Sequence, residues 1–334
     1  MTALGTEAPA VQPAPKPVLA LAGSLAMPGL GQLYLGDPLR GALFLLTVAI
    51  AVPVATRLGL AAPPRLLWIV TLLGVAAAVG IYLWSAVDAF RQAGRSVVAA
   101  PSWRRPGVYL LYAAVGYALV LAPSTAYVRG NLLETFVVPT GSMMPTILPG
   151  DRILADKRVG RRGGVKVWRG ALAVFIYPND RTSVFIKRVI GLPGDRIEID
   201  GPRLRVNGKE AASERGDGDG DGDGERATIS APPGLRLAHE RGDRGDYQVL
   251  WPVDERAGGV PPGAAPSRAP AAVSSFVVPD GQVFVLGDNR AAAVDSRRFG
   301  TVRLADIQAV ARQVWFSSHR GEGVRWGRIG TLLQ

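Results

Sequence analysis

The chain contains no cysteine, and only two of its 334 residues are histidines. The absence of cysteine excludes disulfides, cysteine nucleophiles, thiolate metal sites and iron–sulfur clusters. A histidine-rich metal site is excluded as well, because it would need more than two imidazoles. A Ser-His-Asp triad would have to use His239 or His319, and both lie in polar stretches typical of solvated surface histidines.

Acidic residues are scarce relative to basic ones, since 27 Asp and Glu against 38 Lys and Arg give a formal net charge of +11. Such a balance is compatible with nucleic-acid binding. However, no basic stripe interleaved with aromatic side chains accompanies it, so we expect no nucleic-acid partner. The basic residues before residue 130 lie between long apolar runs, where such charges set the orientation of membrane spans.

The N-terminal part of the chain has the composition of a membrane region. Residues 1–16 are Ala/Pro-rich and are predicted to be a disordered tail. Segment 17–36 is interrupted by prolines and glycines, which favours an interfacial or re-entrant piece over a span. Segments 66–87 and 106–128 each have the roughly 20 apolar residues that cross a bilayer core, and the shorter segment 41–56 can extend through Arg57 to Leu60 if the arginine snorkels. These segments predict three transmembrane helices. We therefore predict a membrane region over residues 17–130, with the lipid bilayer as a partner.

The distribution of arginines predicts the topology of this region. The loop between the last two predicted spans carries Arg91, Arg95, Arg104 and Arg105 against Asp88 alone. By the positive-inside rule, this loop is cytoplasmic and the last span runs outward. Everything beyond about residue 130 is then extracytoplasmic.

Beyond residue 130, short β-branched runs bounded by Gly, Pro and Asp predict an antiparallel, mostly β domain. We assign residues 131–206 and 275–334 to this domain and residues 207–274 to an insertion. The insertion contains an alternating Gly/Asp tract, residues 216–224, which matches the start of a calcium-binding loop. The twelfth position counted from Asp217 is Thr228 rather than Glu, so we predict a flexible acidic loop and no metal site.

One serine and one lysine stand out as a candidate catalytic pair. A serine hydroxyl needs a neighbouring base, and with histidine nearly absent the available base is a lysine whose pKa is lowered by burial. Ser142 follows Gly141, which permits a sharp turn, and Lys187 lies in the apolar run 184–190. We predict Ser142 as nucleophile and Lys187 as general base, with the Ser142 N–H and the Thr140 hydroxyl as oxyanion donors.

These motifs, taken in order, resemble those of the bacterial type I signal peptidases. Residues 140–146 resemble the nucleophile motif of that family, and residues 150–151, Gly-Asp, open the next one. Residues 185–195, Phe-Ile-Lys-Arg-Val-Ile-Gly-Leu-Pro-Gly-Asp, match its lysine motif almost word for word. Residues 287–290, Gly-Asp-Asn-Arg, and 295–300, Asp-Ser-Arg-Arg-Phe-Gly, match its last motif.

The resemblance implies a function and a location. It implies a membrane-bound serine endopeptidase that removes signal peptides from exported preproteins, with small residues one and three positions before the cut. It implies a multi-pass protein of the bacterial cytoplasmic membrane whose catalytic domain is extracytoplasmic, without metal or organic cofactor. The residues that it implies for an apolar substrate pocket are Val138, Met143, Ile147, Phe185 and Ile186. The residues that it implies for structural support of the site are Arg188, Asp288, Asn289, Asp295, Ser296 and Arg297, with Arg188, Asp295 and Arg297 in one charged network.

The chain departs from the family pattern at a position that bears on catalysis. A second serine that usually orients the lysine is replaced by Ala293, and the membrane region is longer than usual. Two alternatives therefore stay open. One is a catalytically silent membrane scaffold of the same fold, and the other is a Ser-Lys protease that cleaves other membrane-proximal segments.

Overall fold

The computed structural model describes residues 15–95, 105–159, 166–212, 231–253, 274–319, 321 and 323–333. Most of the predicted N-terminal tail and the whole Gly/Asp tract, residues 216–224, lie outside the described residues. The chain divides into two compact units between Leu132 and Leu133. Each unit is described by itself below.

The first unit is helical. Its helices are α1 Pro17–Ala26, α2 Leu30–Leu35, α3 Pro38–Ala61, α4 Leu67–Ala93, α5 Pro106–Gly116 and α6 Ala122–Asn131. A π-helical turn, Tyr117–Leu121, joins α5 to α6. Among the described residues, three continuous helical stretches are long and apolar enough to cross a membrane, namely Pro38–Ala61, Pro64–Ala93 and Pro106–Asn131. They contain the segments 41–56, 66–87 and 106–128 that the sequence marks as spans.

Segment 17–36 folds as two short helices around a buried polar cluster. At about 1.5 Å per residue, the 10 residues of α1 are too short to cross a core of roughly 30 Å. In α2, the fully buried Gln32 donates from Nε2 to the Ser85 carbonyl at 2.8 Å and to Asp88 Oδ2 at 3.0 Å. Arg40 completes the cluster through a 2.6 Å ion pair with Asp88. Internal hydrogen bonds and this ion pair therefore offset the cost of burying the polar groups of this cluster.

The second unit is an antiparallel β domain with one short helix. Its elements are β1 Leu133–Val137, β2 Asp151–Asp156, β3 Leu172–Ile176, β4 Val184–Gly191, β5 Arg196–Asp200, β6 Arg203–Val206, β7 Lys209–Glu210, β8 Leu235–Gly242, β9 Gly245–Pro252, β10 Ser274–Val277, β11 Gln282–Leu286, α7 Ser296–Phe299, β12 Val302–Arg303, β13 Ile307–His319 and β14 Gly323–Val324. The strands within the described residues form a large sheet in the order β1-β2-β13-β3-β4-β11-β12, a sheet β10-β5-β6-β7 and a hairpin β8–β9, with β14 added to β13. The prediction of a mostly β domain preceded by apolar helices is confirmed.

The centre of the large sheet is buried on both faces. Strand β3 is buried over Leu172–Phe175, and its neighbour β4 is buried from Lys187 to Gly191. Strands covered on both faces are nearly continuous apolar runs, so the two consecutive cations Lys187 and Arg188 are exceptions that need partners. Both find them in the candidate site.

The hairpin β8–β9 lies within residues 207–274, which were predicted to be an insertion, and it was not predicted from the sequence. Tyr247, Val249 and Trp251 of β9 are buried against Ile190 and Leu286 of the large sheet. The hairpin is therefore part of the core of the domain and not a surface addition.

Candidate active site

Ser142 lies in a single 3-10 turn, Gly141–Met143, shortly after β1 ends at Val137. The N–H of Ile147 donates to the carbonyl of Met143 at 2.9 Å and so fixes the chain that follows the turn. Met143 and Ile147 are fully buried, whereas Ser142 is only half-buried. The fold therefore presents the Ser142 hydroxyl above an apolar support.

Lys187 reaches the same point from β4, where it pairs with Ala173 of β3. Its Nζ lies 2.9 Å from Ser142 Oγ and 2.9 Å from the carbonyl oxygen of Ile186. Lys187 is 4% exposed, and the ring centroid of Phe185 lies 5.4 Å from the amine. The fold thus brings the two predicted dyad residues into hydrogen-bond contact in a nearly water-free position.

Burial controls the protonation of this lysine. Removal from water disfavours the ammonium form and lowers the pKa of Lys187 to about 8, while the carboxylates of Asp295 and Asp288 act in the opposite direction. As an ammonium, Lys187 donates to Ser142 Oγ, and as a free amine it can accept the Ser142 proton across the same 2.9 Å. A lysine with such a pKa supplies free amine at only mildly alkaline pH.

Thr140 lies beside the nucleophile and is exposed. Its Oγ1 is 3.4 Å from Ser142 Oγ, so the two hydroxyls are neighbours. A rotatable donor at this place is suited to stabilise an oxyanion that forms on attack by Ser142.

Residues 287–290, called the 287–290 loop below, pack against the dyad. A Cβ on Gly287 would lie 2.6 Å from the Ser142 carbonyl oxygen, 2.3 Å from Ala293 Cβ and 3.6 Å from Lys187 Cδ. Contacts of 2.6 Å or less are closer than real Cβ atoms allow, so only glycine fits at this position. This close contact with Ser142 and Ala293 explains why the Gly-Asp-Asn-Arg motif begins with glycine.

The 287–290 loop also binds the backbone of the nucleophile turn. The N–H of Asn289 donates to the Ser142 carbonyl, and its Nδ2 donates to the Gly141 carbonyl, each at 3.2 Å. Asn289 thereby fixes the peptide group whose N–H is the predicted oxyanion donor.

The predicted charged residues form two separate pairs, and this differs from the single network that the resemblance implied. Arg188 forms its bidentate ion pair with Asp288, at 2.7 and 2.6 Å, and both side chains are fully buried. Asp295 pairs instead with Arg297 at 2.8 Å. The register explains the first pair, since Arg188 of β4 lies opposite Leu286, two residues before Asp288.

The start of α7 supports the end of β11. The N–H of Gly287 donates to Asp295 Oδ2 at 3.0 Å, and the N–H of Val285 donates to Ser296 Oγ at 2.9 Å. Asp295 also caps α7 by accepting from the Arg297 N–H. These contacts hold the strand that leads into the 287–290 loop.

The predicted substrate-pocket residues divide between two apolar clusters. Val138, Met143 and Ile147 are buried in one cluster, and Ile186 packs against it. Phe185 packs against the other, and its ring stacks on Tyr177 with the centroids 4.3 Å apart. The first cluster lies directly under Ser142, and Phe185 lies beside the amine of Lys187.

Two residues near the site, Glu240 and Tyr247, were not predicted from the sequence, and Arg290 was predicted only as part of the last motif. Glu240 and Tyr247, on the hairpin β8–β9, and Arg290, in the 287–290 loop, form a buried hydrogen-bonded group. Two alternating runs on either side of residues 242–245, Gly-Asp-Arg-Gly, are a hairpin signal that could have revealed the first two. Among the residues that the structure describes, no group of three or more His, Asp or Glu stands ready to hold a metal ion.

Comparison with known proteins gives matches that cover more than half of the chain. The family described as "Signal peptidase, peptidase S26" matches residues 109–316. The signal peptidase I of Rickettsia prowazekii is 32% identical over 215 residues, which cover 57% of this chain and 75% of that protein. The signal peptidase I of Buchnera aphidicola is 28% identical over 240 residues, or 61% and 76% of the two chains. A crystal structure of a signal peptidase I from Enterococcus faecalis covers 44% of this chain and 97% of its own, with 25% identity and a TM-score of 0.25.

Proposed function

This chain belongs to the signal peptidase family, peptidase S26, and we propose that it is a membrane-bound serine endopeptidase that removes signal peptides from exported preproteins. The family predicted from the motifs is thereby confirmed. The observation that carries the proposal is the 2.9 Å contact between Ser142 Oγ and the buried Nζ of Lys187. A serine and a lysine of lowered pKa in hydrogen-bond contact are what nucleophilic catalysis without histidine requires.

The dyad would act in two steps. Lys187, as free amine, accepts the proton of Ser142 while Oγ attacks the scissile carbonyl carbon, and the oxyanion is bound by the Ser142 N–H and the Thr140 hydroxyl. The resulting ammonium then donates its proton to the leaving amine, and an acyl-enzyme remains on Ser142. A water molecule, activated by Lys187 in the same way, hydrolyses this ester and restores the enzyme.

The substrate is a chain with small residues before the cut, as in the family that this protein belongs to. The surroundings of the nucleophile are apolar, with the partly buried Ile186 at the surface and the buried Val138, Met143 and Ile147 beneath it. This supports a shallow pocket that takes up small apolar side chains. Phe185 beside Lys187 would complete the pocket and keep water from the amine.

The enzyme would be a multi-pass protein of the bacterial cytoplasmic membrane. The three long apolar helices support anchoring, and the arginine-rich stretch between the last two supports a cytoplasmic loop. The second unit, which contains the dyad, would then lie on the extracytoplasmic side, where signal peptides of exported chains emerge.

A preprotein assay separates this function from the two alternatives. The full-length protein in detergent is incubated with a preprotein, and the new N-terminus is sequenced, with Ser142→Ala as control. Cleavage at the end of the signal peptide by the parent alone is expected. No cleavage would favour the silent scaffold, and cleavage elsewhere would favour a protease for other membrane-proximal segments.

A further inference from the structure

The hairpin β8–β9 is joined to the 287–290 loop through its backbone. The N–H of Leu250 donates to the Asp288 carbonyl, and the N–H of Arg290 donates to the Leu250 carbonyl, each at 2.8 Å. Leu250 and Asn289 form a parallel bridge between the two segments. The 287–290 loop, which packs against the dyad, is therefore hydrogen-bonded to β9 through its backbone. A shift of the hairpin would move this loop as well.

Side chains reinforce this connection with a buried ion pair. Arg290 donates from its two terminal nitrogens to the two carboxylate oxygens of Glu240, at 2.5 and 2.6 Å. The Arg290 side chain is 0% exposed and that of Glu240 is 4% exposed. Tyr247 donates to Glu240 at 3.1 Å, and Arg290 Nε donates to the Gly287 carbonyl at 3.0 Å. Arg290 thus ties the two ends of the loop together while Glu240 holds Arg290.

The same pair balances charge near the base. Two buried arginines, Arg188 and Arg290, are matched by two buried carboxylates, Asp288 and Glu240. Without its partner, the Arg290 cation would stand uncompensated in a medium of low dielectric constant. Arg290 Nε donates a hydrogen bond to the carbonyl of Gly287, and Gly287 packs on the Lys187 side chain. Gly287 thus lies between the guanidinium and the base, and an uncompensated cation at this place is expected to disfavour the ammonium of Lys187.

We propose that Glu240 is a positioning residue of the peptidase site, which through Arg290 holds the 287–290 loop against Ser142 and Lys187 and balances the charge beside them. This inference rests on the proposed dyad. It assigns a catalytic support role to a hairpin that the sequence places in an insertion. A hairpin that served only folding would affect stability but would leave the pH dependence of turnover unchanged.

The substitution Glu240→Gln tests this role, because it keeps the shape of the side chain and removes its charge. We measure kcat and KM against pH for the full-length protein in detergent. A roughly 10- to 100-fold fall in kcat is expected, with KM within about twofold, since the loop positions the dyad and does not form the pocket. The acidic limb of the profile should move to lower pH, because an unpaired Arg290 disfavours the ammonium of Lys187.

Two milder variants keep the test decisive if Glu240→Gln does not fold. Glu240→Asp retains the charge, so it should keep the parent pH profile and recover part of kcat. Tyr247→Phe removes one hydrogen bond to Glu240, and a roughly two- to tenfold fall in kcat is expected.

Asp306→Asn is the matched control. Asp306 is also a buried carboxylate held by two arginines, Arg181 and Arg303, and both of these are largely exposed. The variant Asp306→Asn should therefore have a lower melting temperature than the parent but the same kcat and KM. The proposal is overturned if Glu240→Gln keeps the kinetics of the parent. It is also overturned if Glu240→Gln, like Asp306→Asn, only lowers the melting temperature and does not shift the pH profile. Turnover by Lys187→Ala would contradict the proposed dyad itself, independently of Glu240. The role of Glu240 would then be contradicted too, because it rests on that dyad.

Discussion

Gly287 and Ser142 approach so closely that a Cβ on the glycine would lie 2.6 Å from the serine carbonyl oxygen. Gly287→Ala must therefore displace the nucleophile turn and the 287–290 loop relative to each other. We expect turnover to fall by about 10²-fold, because a displacement on the order of 1 Å disturbs the near-attack geometry. Gly327→Ala is the control, since a Cβ there meets nothing within 4 Å. Parent-level turnover in Gly287→Ala would show that the close approach does not matter.

The buried lysine makes stability depend on pH in a defined direction. The pKa of Lys187 is about 8 in the folded protein, against about 10.4 for an unperturbed lysine, so the unfolded chain binds more protons between these values. Burial of the Lys187 ammonium therefore lowers the free energy of unfolding by on the order of 3 kcal/mol below about pH 8. This penalty shrinks as the pH rises above about 8 and is gone above about 10.4.

Lys187→Met removes this penalty and should stabilise the protein near pH 7. Thermal unfolding in detergent, followed by tryptophan fluorescence between about pH 7 and about pH 10, is the measurement. The difference in melting temperature between variant and parent should narrow as the pH rises. Lys166→Met, at an exposed lysine, should track the parent throughout. A difference that does not change with pH contradicts the burial of a titrating amine.

The absent second serine leads to a prediction of a modest gain. Ala293 lies against Gly287, and Lys187 uses the Ile186 carbonyl as its second partner. Ala293→Ser should raise kcat by no more than about two- to tenfold, the worth of one hydrogen bond, or leave it unchanged. The comparison is steady-state turnover of one preprotein by both proteins. A fully inactive parent with an active Ala293→Ser would point to the silent scaffold.

The site residues that could be predicted from the sequence are those that lie in short continuous motifs. Ser142 and Lys187 each lie in a motif of consecutive residues, so both could be named without the fold. The partner of Arg188 could not, because Asp288 and Asp295 are equally plausible until the register of β4 and β11 is known. Glu240 was missed because its contact with Arg290 joins residues 50 positions apart.

The β architecture was predictable from the β-branched runs, whereas the hairpin β8–β9 offers only the turn signal at residues 242–245. Its strands contain Arg236, His239, Arg241 and Asp246 beside few β-branched residues, so local propensity is weak. What stabilises it is the burial of Tyr247 and Trp251 against the large sheet, a tertiary effect. Core packing therefore decided a structure that the local sequence left open.

The proposed orientation makes a prediction about reporter fusions. A reporter that works only outside the cytoplasm should be active when fused after residue 200 and inactive when fused after residue 95. The reason is the excess of arginine between the last two apolar helices. The reverse pattern would place the dyad on the cytoplasmic side and contradict a role in processing exported proteins.

The most direct test of the account is the turnover of a preprotein by Lys187→Ala relative to the parent. Lys187 is the base in hydrogen-bond contact with Ser142, so its loss should lower kcat by at least about 10²-fold. Lys187→Arg should fail equally, because a guanidinium does not release its proton at usable pH, and Ser142→Ala should abolish turnover. Turnover by Lys187→Ala comparable to that of the parent, with Ser142→Ala inactive, would contradict the serine–lysine mechanism.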